Sequence, residues 1–117
     1  MARTISRQET NEGFEPSLIK VLHALADPVR LEIVRQLDEA GEKACGTFGI
    51  NMPKSSMSHH FSTLRKSGVI ASRVKGALLM NRLRRTELEA SFPGVLDSIL
   101  TGVRRYHHGP LRQHEKP

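Results

Sequence analysis

Lys54-Ser-Ser-Met-Ser-His-His-Phe-Ser-Thr-Leu-Arg-Lys-Ser-Gly-Val-Ile70 is the stretch on which the reading of this chain turns. Pro53 precedes it and Gly68 closes it, so a helix is expected from about Lys54 to Ser67, ended by a residue suited to the left-handed region. Successive residues of a helix lie about 100° apart. With Met57 at the origin, Phe61 and Leu64 fall within roughly 40° of it and form one apolar face. The opposite face carries Ser55, His59, Ser62 and Lys66, with Ser56, Ser58 and Thr63 on its shoulders. These side chains are mostly short, all are polar, and none is acidic. An ordinary solvated helix mixes its charges, often in Glu-to-Lys pairs. A helix that enters a DNA major groove needs this pattern instead, with basic residues at its margins for phosphates. His60 lies on the flank, where a bond to backbone or phosphate is expected.

The charge around this helix points the same way. From Lys43 to Thr86 the chain has no Asp or Glu, yet it holds Lys43, Lys54, Arg65, Lys66, Arg73, Lys75, Arg82, Arg84 and Arg85. The whole chain of 117 residues has 18 Lys and Arg against 12 Asp and Glu, a formal net charge of +6. The segment contributes more than that net, so the remainder is acidic. Basic charge confined to one foldable segment reads as a surface for a polyanion.

Outward from the helix, Val69 to Val74 and Leu78 to Leu83 flank Lys75-Gly76-Ala77, a hairpin signal. Arg73, Lys75, Gly76 and Arg82 place basic charge at or near its tip, as a wing on the phosphate backbone requires. Upstream, Asp27-Pro28 starts a helix that runs to about Glu39, with Gly41 after it. Before that, Pro16-Ser17 opens another helix ending near Ala26. The interval from Lys43 to Pro53, with Cys45, Gly46 and Gly49, is read as a short distorted helix or a strand-like turn. Downstream, Thr86-Glu87-Leu88-Glu89 has a capping-box pattern with Thr86 as the cap. Phe92-Pro93 interrupts, and a last helix is expected from Pro93 to about Tyr106. Residues 1–15 read as a flexible arm, 16–106 as a single domain, and 107–117 as a flexible basic, His-containing tail. The element order predicts a mainly α fold with a small β-hairpin, that is, a winged helix-turn-helix with an additional helix at each end.

Two segments together resemble one family. Leu25-Ala-Asp-Pro-Val-Arg-Leu31 is similar to the opening of the second helix in ArsR/SmtB-type repressors, and Ser55 to Ile70 is similar to their recognition helix and turn. The resemblance spans about residues 18–105. It implies a homodimeric repressor that pairs through its first and last helices, binds a palindromic double-stranded DNA operator and leaves it when an effector binds. The recognition-helix contacts would then be Lys54, Ser55, Ser56, Ser58, His59, His60, Ser62, Thr63, Arg65 and Lys66. The apolar stripes of the outer helices, Leu18, Leu22 and Leu25 with Val95, Leu96, Ile99, Leu100 and Val103, supply the expected dimer interface. Metal-sensing members of the family carry a Cys-x-Cys before the recognition helix, but here Cys45 is followed two residues on by Thr47. Others use an Asp-x-His on the last helix, but here Asp97 is followed two residues on by Ile99. No metal or other cofactor is therefore expected, although His107, His108 and His114 are present in or beyond the helix end. Cys45 is either a small buried apolar residue or a redox or effector-sensing thiol.

Other classes fit poorly. There is no Gly-rich phosphate loop and no Ser/His/Asp arrangement, so an enzyme is not expected. A single cysteine fits a reducing compartment. No apolar run is long enough to span a bilayer, and the first residues lack a hydrophobic signal core. A cytoplasmic protein that does not engage membrane is expected. An effector-independent winged-helix module for DNA or protein is the alternative.

Overall fold

Asp27 sets the geometry from which the rest is built. Its Oδ1 accepts the Val29 N–H at 2.8 Å and the Arg30 N–H at 3.2 Å, and Pro28 occupies the first helical position. That cap starts α2, Pro28–Ala40, directly after α1, Leu18–Leu25, whose own cap is Ser17. The computed structural model describes residues 16–106, so the expected arm at 1–15 and tail at 107–117, with His107, His108 and His114, lie outside the described residues. No helix among the described residues is long and apolar enough to cross a membrane.

After Gly41 the chain forms β1, Glu42–Ala44, and one turn of 3-10 helix, Cys45–Thr47. This interval therefore combines the two alternatives, a strand first and then a tight helical turn. Next come α3, Lys54–Lys66, and the hairpin of β2, Ile70–Lys75, with β3, Leu78–Leu83. The sheet is antiparallel in the order β1-β3-β2, with Glu42 opposite Arg82 and Ala44 opposite Met80 on one side, and Arg73 opposite Met80 on the other. The expected hairpin thus gains a third strand, β1, at its edge. Gly68, at φ 85°, turns the chain from α3 into β2 while its N–H donates to the Arg65 carbonyl. A side chain with a Cβ is strained in that conformation.

The last two helices are α4, Arg85–Ser91, and α5, Val95–Tyr106. Thr86 is not the cap of α4. It lies within the helix, the cap position is Arg84, and no side chain caps there. The carboxylate of Glu89 does not reach back as a capping box would; it accepts the Gly94 N–H ahead of it at 3.2 Å. Pro93 and Gly94 form the turn between the helices, so α5 starts two residues later than its sequence signal.

Leu37, Ile33 and Val34 of α2, Leu64 and Phe61 of α3, Val69 and Ile70 at the sheet, and Leu100 of α5 form the buried centre. Phe61 and Leu64 occupy the core face expected for α3, and Met57 packs partly buried against the same cluster. Asn81 is fully buried, at 0% exposure. Its amide is satisfied, with Nδ2 donating to the Lys43 carbonyl at 3.2 Å and Oδ1 accepting the Ser72 hydroxyl at 2.6 Å. Buried amides survive on such terms, and here one side chain ties all three strands together.

Candidate nucleic-acid interface

The outward face of α3 is polar, as expected. Ser55, Ser58, His59 and Lys66 are exposed, Ser56, Ser62 and Thr63 are half-buried, and no carboxylate interrupts the helix. Pro53 gives the helix no side-chain cap, so the positive end of its dipole remains available to an anion. Lys54 is exposed beside it.

His60 is bonded to a side chain where a backbone bond is one of the two expected. Its Nδ1 lies 3.0 Å from Arg30 Nη1, a side-chain partner rather than backbone. Guanidinium can only donate, so Nδ1 accepts and the neutral ring carries its proton on Nε2. Arg30 is itself buried and donates from Nε to the Ala24 carbonyl at 2.6 Å, closing the end of α1. Nothing in the sequence signals this contact, since Arg30 reads simply as part of the α2 opening. It joins the two family-like segments, Leu25–Leu31 and Ser55–Ile70, in space.

Burial is the main cause holding the His60 imidazole below its ordinary pKa; the Asp27 carboxylate opposes it, and the charges of Arg30 and His59 reinforce it. A histidine depressed in the folded state stabilises the fold above its unfolded pKa, and that contribution disappears as pH falls through the lower folded value. Between about pH 7 and about pH 5, near the free imidazole pKa, thermal melts of the parent should lose more stability than melts of His60→Gln. Parallel losses would show that folding does not lower the His60 pKa.

The wing needs correction. Arg82 is not near the tip: it pairs with Ala71 and Glu42 at the base of the sheet, and its guanidinium meets Glu87 at 3.3 Å. Arg73 is held by Glu42 in a two-pronged ion pair of 2.8 and 3.0 Å. Lys75, beside the exposed turn at Gly76 and Ala77, is the basic residue at the tip.

Similar partners engage other cations of the acid-free segment. Lys43 donates to Gln36 at 2.9 Å and lies over the Phe48 ring. Arg84 lies 3.5 Å from Glu87, and Arg85 bridges Asp38 and Asp97. Acids outside the segment in sequence thus fold back onto Arg73, Arg82, Arg84 and Arg85. Lys54, Lys66 and Lys75 have no ion pair among the described residues, and Arg65 approaches the Ser72 hydroxyl at 3.4 Å. The cations left on α3 and the wing tip are fewer than the linear count.

The expected dimer set divides. Leu25, Leu96, Leu100 and Val103 are buried within the protomer, at 4%, 3%, 0% and 4% exposure, and they are core residues. Leu18 and Leu22 are exposed at 40% and 41%, and Ile19, which lies outside the expected stripe, at 74%. Val95 and Ile99 are half-buried. A small cleft lined by Val21, Leu25, Val95 and Leu96 brings α1 and α5 together. Cys45 is half-buried, with Asn81 Nδ2 at 3.3 Å from its Sγ. Asp97 is engaged by Arg85 at 2.7 Å. No three His, Cys, Asp or Glu among the described residues gather as metal ligands would.

A three-stranded sheet, a polar acid-free helix packed on a helical core, and a projecting hairpin define a winged helix-turn-helix transcriptional regulator. Residues 27–72 match the family described as "Bacterial regulatory protein, arsR family". The chain is 35% identical over 83 residues to the uncharacterized HTH-type transcriptional regulator YceK of Bacillus subtilis, covering 68% of this chain and 83% of that protein. It is 32% identical over 84 residues to the transcriptional repressor SdpR of the same organism, covering 70% and 92%. This chain belongs to the ArsR family. Its fold is similar to that of the homodimeric winged helix-turn-helix DNA-binding domain Mb0332 of Mycobacterium bovis, with a TM-score of 0.59, 23% identity, and coverage of 79% of this chain and 86% of that one. The named relatives are regulators rather than enzymes.

Proposed function

We propose that this regulator acts in the cytoplasm as a homodimeric repressor, holding a palindromic operator with α3 of each protomer and leaving it when an effector binds. The outward, carboxylate-free row of Ser55, His59, Ser62 and Lys66 carries the reading of operator contact. Lys54, Arg65 and Lys75, with the Nε2–H of His60, would meet phosphates, while Ser56, Ser58 and Thr63 stand at the groove margin. The homodimeric state of the Mycobacterium bovis domain and the exposed Leu18, Ile19 and Leu22 support pairing through α1, with Val95 and Ile99 of α5 at its border. A two-fold dimer would set its recognition helices about 34–36 Å apart, one turn of DNA.

The test is binding to duplex from upstream of the protein's own gene against a shuffled duplex. His59→Ala should narrow the difference between them by about 1–3 kcal/mol for each base it no longer reads. Lys75→Ala should weaken both duplexes alike and flatten the salt dependence by about one phosphate. Unchanged sequence preference in His59→Ala would remove that residue from base readout. Arg82, held at the base of the sheet by Glu87, is not expected to act as a wing contact.

A further inference from the structure

The inner face of the hairpin continues past the core. Ile70 and Leu83 are buried, but Val74 and Leu79, opposite each other farther along, are 56% and 37% exposed. Beneath this overhang, between the 3-10 turn and α3, lies an open cavity of about 350 Å³. Phe48, Ile50, Met52, Met57, Phe61 and Leu79 make its wall apolar. Lys54, Ser58 and Arg65 also border it, and no carboxylate does.

That volume falls at the small end of the range of about 300–1,000 Å³ typical of small-molecule sites, which are mostly apolar with a few convergent polar groups. A bare phosphate would leave the apolar wall unused, and a neutral hydrocarbon would leave the Lys54 ammonium and the Ser58 hydroxyl unmet. We propose that the cavity binds a small amphipathic carboxylate, its hydrocarbon against the Phe48–Phe61 wall and its carboxylate at Lys54 and the Ser58 hydroxyl one turn on, and that occupation weakens duplex binding. The regulatory half rests on the DNA-contact reading above. Its logic is competition: Lys54 and Ser58 belong to the first turns of α3, and a carboxylate held there neutralises charge that would otherwise face phosphate. Phe61 also seats α3 on Phe48, edge to face at 5.3 Å, so a chain lodged beside that contact bears on the position of the helix.

Decanoate is a suitable probe, with decanol and decylammonium as neutral and cationic matches, each below the concentration at which it aggregates. Direct binding is read without DNA, by displacement of anilinonaphthalene sulfonate. Decanoate should displace the dye at a single saturable site and bind about tenfold more tightly than decanol, as a charge-assisted contact would give. Lys54→Gln should reduce decanoate binding and leave decanol unchanged. Leu79→Glu, at the exposed edge, should lose decanoate and gain decylammonium. Duplex affinity of the parent should fall about tenfold with decanoate, within the usual range of coupling between sites. Equal binding of decanoate and decanol, or decanoate binding unaffected in both variants, overturns the site. Saturable decanoate binding with duplex affinity unchanged overturns the regulatory half. Dye displacement by a protein that binds no duplex refutes the DNA-contact reading and supports the ligand site.

Discussion

Ile19→Glu is expected to yield a monomer in sedimentation, with duplex affinity reduced about 10²–10⁴-fold, the factor that joining two half-site contacts supplies. Ile19 is 74% exposed in the protomer, so the new carboxylate stands in water there and the fold is undisturbed. In a dimer sealed by Leu18, Ile19 and Leu22 the same carboxylate would be removed from water without a partner, which costs several kcal/mol. Leu96→Glu makes the contrast. Leu96 is 3% exposed inside the protomer, so its replacement should unfold the chain rather than separate two folded copies. Ile19→Glu protein that sediments as a dimer and binds duplex normally would move the interface away from α1.

The second large effect is on stability. Leu64→Ala is expected to destabilise the protomer by about 2–5 kcal/mol, the range for emptying a buried leucine site. Leu64 is 0% exposed and belongs to the cluster that includes Ile33, Leu37 and Val69. A domain of this size has only about 5–15 kcal/mol in total, so chemical denaturation should show a clear shift of midpoint. The loss should also appear as weakened operator binding at temperatures where the parent is fully folded. A destabilisation of less than about 1 kcal/mol would mean that neighbours collapse into the space, contrary to the usual partial relaxation.

Much of the architecture is legible because its signals are local. Asp27-Pro28 starts α2 with a cap that needs only its own residues, and the apolar spacing of Met57, Phe61 and Leu64 faces α3 toward the core. The failures share another origin. Arg73, Arg82 and Arg85 look free when charge is counted along the chain, whereas Glu42, Glu87, Asp38 and Asp97 reach them through tertiary contacts. β1 has three residues, too few for an alternation to register. Leu96, Leu100 and Val103 resemble a dimer stripe because periodicity reports that a face is apolar, not which neighbour covers it. Thr86 meets the capping-box spacing, yet the helix starts one residue before it, so its hydroxyl has no cap to make. Of the α3 face, the outward row is readable from helical spacing alone. The Arg30–His60 contact spans 30 residues and is not.

That contact separates what is replaceable in α3 from what is not. His60, Phe61 and Leu64 fasten the helix to Arg30 and the core, so they act as the mounting. Ser55, His59, Ser62 and Lys66 lie on the opposite side and, in the proposed operator complex, would act as the exchangeable reading head. A redesign aimed at a new operator can vary the second set freely, provided the first is left intact. Variation that reaches His60 would leave the Arg30 Nη1 without its ring partner and loosen α3 from α2 before any base is read.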